Sequence, residues 1–387
     1  MTRVFPGGTI GILGGGQLGR MLALEARRMG YRIVVLDPEP ESPAAQVADI
    51  HVTGALDDAE AAEELAGHSD VITLDTEHVP FALLERLETM KPVRPSAHVL
   101  RIIQDRLEQR RFLEVQGAPQ VRYAPVSDVQ SLRAAADTVG FPSVLKTRRS
   151  GYDGKGQCLA AQPGDLAGAW KTVGEDPAIL ESFVDLEKEI SVLLARDVDG
   201  NVRFHPIAEN VHRHHILRTS RVPARISEEL AAEAQALGAR IASALEHVGM
   251  MAIELFVTRE GSLLVNELAP RTHNSGHYSF GACATSQFEQ HVRAICGLPL
   301  GDASLLRPAM MLNLLGDLWR DGPPSWSSVF AHPTARLHLY GKSRALPGRK
   351  MGHVLILGQD VEKAGALAET IAEELERGSP RSGGAWT

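Results

Sequence analysis

Met250-Met251-Ala252-Ile253-Glu254-Leu255-Phe256-Val257-Thr258 and Leu263-Leu264-Val265-Asn266-Glu267-Leu268-Ala269-Pro270-Arg271 are two apolar runs rich in β-branched residues, separated by a short polar break. Both read as strands. Glu260-Gly261 has the form of a two-residue hairpin loop, with glycine supplying the positive φ. That loop pairs Arg259 with Ser262 and, counting back along the ladder, sets Glu254 opposite Glu267. Directly opposed side chains share a face at roughly 4.5–5.5 Å between Cβ atoms, so two carboxylates there repel. Either a cation lies between them or one holds a proton. Two carboxylates beside the carboxamide of Asn266 are hard oxygen ligands of the kind that hold magnesium on substrate phosphates. The alternative is a one-residue bulge that turns one glutamate to solvent.

The second strand opens into Pro270-Arg271-Thr272-His273-Asn274-Ser275-Gly276-His277, a polar run on a rigid support, as binding loops are. The surrounding chain is of ordinary globular make-up: 387 residues, 44% hydrophobic and 23% charged, enough for two or three domains. A net charge of −8 argues against sequence-independent nucleic-acid binding, which needs a basic face. No apolar run approaches the roughly 20 residues of a membrane span, and the N-terminus leads straight into a strand without a signal peptide. Cys158, Cys283 and Cys296 are odd in number and widely spaced, giving neither a disulfide framework nor a metal-ligand spacing. A reduced, cytoplasmic protein is the expectation.

Working outward toward the N-terminus, the strand Thr9–Leu13 leads into Gly14-Gly15-Gly16-Gln17-Leu18-Gly19-Arg20-Met21 and a helix through Met29, followed by a strand Arg32–Leu36 ending at Asp37. This matches GxGxxG with a later acid, the dinucleotide fingerprint. It also matches something narrower, a glycine turn and helix N-terminus that can receive any anion. Further strands at Ile50–Val52 and Val71–Leu74 alternate with helices at Asp57–Ala66 and Phe81–Met90, which predicts a parallel sheet with helices on both faces. Glu77 lies at the carboxyl end of one of these strands, where open α/β sheets bind ligands; a helix-capping acid is the other reading.

Ser96–Val115 reads as one long amphipathic helix leading to a smaller αβ unit from about Val121 to Val184. Its strand Ser143–Thr147 carries Lys146, either snorkelling outward or reaching an anion. Arg148–Gln157 then places three glycines among three cations, a phosphate cradle without the Walker spacing, or a solvated hairpin tip. The strand Ile179–Val184 follows, with Glu181 before backbone that can pair with a purine edge. Glu189–Ala195 and Val202–Ala208 form a hairpin, and Asn210–Ser220 gathers His212, His214 and His215 without the spacing of a zinc site. Ser227–Val248 and Ser286–Cys296 are amphipathic helices. The tail has strands at Met310–Leu315 and Arg336–Tyr340, basic turns at Gly341-Lys342 and Pro347–His353, a helix Val361–Arg377 and a frayed end.

The lysine strand, the glycine loop, the Glu181 strand and the Glu254/Glu267 hairpin together resemble the ATP-grasp superfamily. Gly16–Met21, Gly151–Gln157, Ile216–Ser220, Asn266–His277 and Pro347–His353 narrow the resemblance to its 5-(carboxyamino)imidazole ribonucleotide synthetases of purine biosynthesis. The fold so implied is α/β and α+β. Its parts are an N-terminal parallel αβ (pre-ATP-grasp) domain at 1–95, a connecting helix at 96–120, a lid subdomain at 121–184, a central antiparallel ATP-grasp domain at 185–300 and a β-rich C-terminal extension at 301–387.

The activity so implied is ATP-dependent carboxylation of aminoimidazole ribonucleotide with bicarbonate, through carboxyphosphate, in a cytoplasmic homodimer that needs magnesium but not biotin. ATP would be held by Arg106, Lys146, Gly151, Tyr152, Asp153, Gly154, Lys155, Gly156, Gln157, Glu181, Ser182, Phe183, Val184, Glu189, His212, Asn266 and Glu267. Magnesium would be bound by Glu254 and Glu267. Gly14, Gly16, Gln17, Leu18, Glu77, Tyr152, Asp153, Arg271, His273, Asn274, Ser275, Lys342, Arg349 and Lys350 would surround bicarbonate and the ribonucleotide. Of these Asp153, His273, Lys350 and Arg271 would be catalytic. The chain departs from the family at Asp75-Thr76-Glu77-His78-Val79, where Glu77 is kept but Thr76 and His78 replace its neighbours. The rival classes are a nicotinamide-dependent dehydrogenase, which would explain only Gly14–Asp37, and an ATP-grasp ligase acting on formate.

Overall fold

The computed structural model describes residues 3–149, 151 and 154–377. Tyr152, Asp153 and the end of the chain therefore lie outside the described residues. Four strands, β1 (Thr9–Leu13), β2 (Arg32–Asp37), β3 (Ile50–Thr53) and β4 (Val71–Leu74), form a parallel sheet in the order β3-β2-β1-β4. They are apolar on both faces because both faces are covered. Ile10, Ile12, Ile33 and Val35 pack on Met21, Leu22 and Ala26 of the helix Gln17–Arg28. Leu13, Val34, Leu36 and Ile72 pack on Leu65 of the helix Ala59–His68 and on Leu83, Leu84 and Leu87 of Phe81–Glu88. The first face is completed from far away in sequence by Phe288, Val292 and Ile295 of the helix Gln287–Ile295.

The expected single helix Ser96–Val115 is two, Ala97–Ile103 and Arg106–Val115. Asp105 breaks it by capping the second: its carboxylate accepts from Leu107 N–H at 3.0 Å and is gripped from the other side by Arg148 at 2.9 and 2.7 Å. This also ties the helix to the end of the lysine strand. The smaller unit is an antiparallel sheet of β5 (Tyr123–Val126), β6 (Ser143–Thr147), β7 (Gln157–Ala160) and β8 (Ala178–Ser182), ordered β5-β8-β6-β7. It has its own core of Leu132, Ala136, Leu145, Trp170 and Leu180.

The largest sheet contains β9 (Leu186–Arg196), β10 (Val202–Phe204), β11 (Ala208–Arg213), β12 (Ile216–Val222), β13 (Gly249–Thr258), β14 (Leu263–Ala269), β15 (Ala309–Leu315), β16 (Ala335–Leu339) and β17 (Lys350–Leu357). The order is β14-β13-β9-β11-β12-β15-β17-β16, with β10 beside β9. The tail strands are thus continuous with the central sheet: β15 pairs with β12 through Thr219–Leu312 and Ser220–Met311. Buried Met311 and Leu355 share one core with Leu193, Ala252 and Tyr278.

The hairpin of β13 and β14 sets Glu254 opposite Glu267, as expected, but by a different route. The loop holds three residues, Arg259-Glu260-Gly261: Thr258 N–H donates to Ser262 O at 2.9 Å, and Gly261 takes φ +80°. That loop pairs Val257 with Leu263 and Leu255 with Val265, one step off the expected ladder. Left alone, it would point Glu267 into the core that contains Ile253, Leu255 and Val257. A bulge after Val265 shifts the register, so Asn266 and Glu267 both face outward while Leu268 returns to the core. The bulge creates the carboxylate pair; it does not dissolve it.

Candidate active site

Three elements meet at one buried carboxylate. Glu181, at the end of β8, accepts from Arg110 Nε at 2.6 Å and from Lys146 Nζ at 2.7 Å. Burial alone would raise its pKa, but the two cations outweigh burial and hold it down at about 2. Arg110 also donates to the carbonyls of Val265 and Asn266, at 2.7 and 3.0 Å, which are the residues of the bulge. One guanidinium thus links helix Arg106–Val115, the small sheet and the site hairpin. Arg106, Gln109, Lys146, Asn266 and Glu267 line the cleft around them, which is partly open to solvent. Arg106 donates to Gly151 O at 3.1 Å and faces Glu267 at 3.7 Å. Ser182 ends the strand and Phe183 is half exposed just beyond it, so β8 is shorter than expected and its last two residues become connection.

On the glycine loop, Gly154 takes φ +79° and Gly156 φ +70°. A Cβ on Gly154 would fall 2.5 Å from that of His215, and Gln157 Nε2 lies 3.4 Å from His215 Nδ1. The β11–β12 turn therefore abuts this loop, and glycine is required at the contact. Lys155 makes interactions of its own beside it.

Next to the cleft, Glu254 is largely buried while Glu267 is 47% exposed at its mouth. Burial, then the charges of Glu267 and Glu189, push Glu254 up to about 7. Glu189 in turn holds His212 Nδ1 at 2.9 Å; burial pulls the His212 pKa down, but the carboxylate overcomes it and raises it. His273 Nε2 faces Glu254 at 3.6 Å. Burial first, then Arg271 and Lys350, drive its pKa well below the usual imidazole range. Among the described residues no three His, Cys, Asp or Glu side chains come together as a metal cage.

Arg271 is an internal cation, paired with Glu77 at 2.7 Å. Glu77 therefore answers a site arginine and caps no helix. Asp75 accepts from Gly16 N–H at 2.5 Å and Gly19 N–H at 2.9 Å; burial raises its pKa to about 6 against the pull of Arg271 and Lys342. Asp37 accepts from Gly15 N–H at 2.7 Å. The acid that would hold a ribose in a dinucleotide site is thus turned onto the glycine turn itself. The amides of Gly15, Gly16 and Gly19 are engaged by the chain's own carboxylates, and the anion-binding reading of the turn narrows to Gln17 and Leu18.

Asn274 and Ser275, expected at the substrate, are buried. Asn274 exchanges hydrogen bonds of 3.1 and 2.7 Å with Asn313, and Ser275 Oγ lies 2.8 Å from His273 Nδ1. They support the loop from within. Lys350 begins β17 beside Leu315, within the field of Glu254 and His273. Lys342 stands 5.7 Å over the Tyr340 ring and acts on Asp75, whereas Arg349 reaches out to Arg344 O at 3.1 Å. Three residues missed by sequence reading complete the site: Arg110, Asn313 and Gln287. Only Arg110 carried a signal, as a cation on the inward face of an amphipathic helix.

Comparison with known proteins places this geometry in a lineage. The ATP-grasp domain model matches residues 111–288. The ribonucleotide synthetase preATP-grasp domain matches 8–104, and the phosphoribosylaminoimidazole carboxylase C-terminal domain matches 309–366. The N5-carboxyaminoimidazole ribonucleotide synthase of Brucella melitensis is 46% identical over 91% of this chain and 97% of its own. The ADP complex of an N5-carboxyaminoimidazole ribonucleotide synthetase superposes with a TM-score of 0.91 at 45% identity, covering 96% of this chain and 98% of that one. The Aspergillus clavatus enzyme in complex with ADP and 5-aminoimidazole ribonucleotide gives 0.88 at 31% identity, covering 96% and 99%.

Proposed function

This chain belongs to the N5-carboxyaminoimidazole ribonucleotide synthase family of ATP-grasp enzymes, and from that premise we propose how its residues carry out the ATP-dependent carboxylation of 5-aminoimidazole ribonucleotide. It is a ligase of purine biosynthesis. Bicarbonate is a poor electrophile, so the reaction begins by moving the terminal phosphoryl group of ATP onto a bicarbonate oxygen, giving carboxyphosphate. Little covalent work falls to the protein in such a transfer; positioning and charge compensation supply most of the rate. Lys146 and Arg106 line the cleft that receives the phosphates, with Glu181 fixing Lys146. The glycine loop at Gly151 and Gly154–Gln157 covers them, with Lys155 as its cation. Ser182, Phe183 and Val184 border the adenine; Glu189 and His212 meet the nucleotide.

The observation that carries this reading is the opposed pair Glu254–Glu267 beside that cleft. Two carboxylates, one pushed up to about 7 by its neighbours, form an unfavourable arrangement that a divalent cation relieves. Two protein ligands are few for a cage but fit magnesium, which keeps oxygens from substrate phosphates. Glu254 and Glu267, with Asn266 adjacent, would hold it, and when bound it supplies charge neutralisation on the phosphates.

Across from this pair, Arg271, His273 and Lys350 face the acyl carbon and its oxygens. Glu77 holds Arg271 in place. Gln17, Leu18, Lys342 and Arg349 receive the ribonucleotide. The substrate amine attacks the carboxyphosphate carbon, the bond from that carbon to the phosphate oxygen breaks with release of inorganic phosphate, and Asp153 takes the proton from the nitrogen. Its loss in Asp153→Asn is expected to lower turnover at least a hundredfold, and near-normal turnover would remove it from the mechanism. We place the enzyme in the cytoplasm as a homodimer, which light scattering of the purified protein tests. The central experiment is phosphate release with each substrate omitted in turn. Release must require bicarbonate and aminoimidazole ribonucleotide together; release with formate and glycinamide ribonucleotide would replace this reading with the formate ligase.

A further inference from the structure

The turn from His273 to His277 is pinned from inside the protein. Gln287, fully buried at the start of its helix, accepts the His273 N–H at 3.0 Å and donates Nε2 to the His273 carbonyl at 2.8 Å. It thus pairs with that backbone as a neighbouring strand would. The same Nε2 lies 3.2 Å from His277 Nδ1. Gln287 N–H donates to Ser279 Oγ at 2.9 Å, whose hydroxyl donates to Gly276 O at 2.6 Å. A Cβ on Gly276 would fall 2.5 Å from Gln287 Oε1, so the close approach depends on glycine there. On the ring side, His273 Nδ1 accepts the Ser275 N–H at 3.3 Å and lies 2.8 Å from Ser275 Oγ, a hydroxyl that can turn its hydrogen to the same nitrogen. An imidazole that accepts at Nδ1 carries its hydrogen on Nε2, the atom that faces Glu254 at 3.6 Å.

We infer that Gln287 is a positioning residue for the carboxylation reading above. By clamping both backbone polar groups of His273 it aims the ring so that Nε2–H donates a hydrogen bond to the carboxyl oxygens held beside Glu254. Gln287 touches no substrate and acts only through His273. This assigns a chemical sense to His273 as well: donor to oxygen, with no proton taken from the amine.

The test is a set of full-length variants assayed by bicarbonate-dependent phosphate release. Gln287→Leu is expected to lower kcat roughly ten- to a hundredfold, as loss of a residue that orients a site group does, with the KM for ATP unchanged. His273→Gln, whose amide nitrogen stands where Nε2 was, should keep more activity than His273→Asn, whose amide stands at Nδ1. In the His273→Asn background, Gln287→Leu should cost nothing further. Full multiplicative losses, or His273→Asn outperforming His273→Gln, would overturn the inference. Should Gln287→Leu fail to fold, Gln287→Glu keeps the acceptor for His273 N–H and removes the donor to its carbonyl. Nitrogen NMR of the wild-type protein at one neutral pH reads the hydrogen on His273 directly and independently of turnover. Hydrogen found on Nδ1 sinks the inference while leaving the carboxylation reading intact.

Discussion

At the scale of single residues, the site is governed by carboxylates in opposite situations. Glu254 is raised to about 7, burial first and then neighbouring negative charge. A raised folded-state pKa favours the fold most at pH below the ordinary carboxylate range, and that contribution is lost as pH climbs through about 7. Without magnesium the protein is therefore expected to melt lower at pH about 8 than its other groups predict, and Glu254→Gln should lift that melting temperature. Magnesium–ATP needs the ionised form, so its affinity, read by calorimetry, should rise with pH and level off above about 7, a dependence that Glu254→Gln abolishes along with the binding. Glu181 is the reverse case, held at about 2. Its contribution is present above the ordinary glutamate pKa and lost as pH falls toward 2. Glu181→Gln leaves Arg110 and Lys146 buried without their counter-charge and should cost about 3–5 kcal/mol, measured by denaturant unfolding.

At the scale of elements, the decisive feature is the one-residue bulge in β14. Leu263 and Val265 fit a two-residue alternation, and Leu268 breaks it, although all three lie in the same core. Leu264 shares the parity of Leu268, so the sequence admits either face; it is the burial of Leu263 and Val265 that makes Asn266-Glu267 the bulge. Deleting Asn266 should restore a regular ladder in which Glu267 alone stands opposite Glu254 and Leu268 stays in the core. We expect the variant to keep magnesium–ATP protection in thermal unfolding, because the carboxylate pair is retained and only the Asn266 carboxamide is lost. Loss of protection would show that the bulged Asn266, and not the carboxylate pair, makes the site. The break at Asp105 was similarly hidden, because the residue that caps the second helix is fixed by Arg148, far away in sequence.

At the scale of the molecule, the units share surfaces that a boundary drawn along the chain does not reveal. The helix Gln287–Ile295 closes the first sheet while its first residue clamps His273. β15 hydrogen-bonds to β12 and places Asn313 against Asn274. A chain ended near residue 300 would expose the edge of β12 and strip Ala309, Met311, Leu355 and Leu357 from one core, so it should be insoluble or aggregate on refolding, which sedimentation reads. A stable, monodisperse fragment that binds ATP would contradict this. Read alone, the sequence established the parallel first sheet, the site strands β13 and β14 and the cleft lysine, because periodicity, glycine turns and a charged residue in an apolar strand are local signals. It opposed Glu254 to Glu267 through a loop that the structure does not form. Only the tertiary structure decided that the glycine turn is closed by Asp37 and Asp75, that Arg110 joins three elements, and that Asn274 and Ser275 face inward. Each depends on which distant group arrives to satisfy a buried polar atom, and chain order does not encode that arrival.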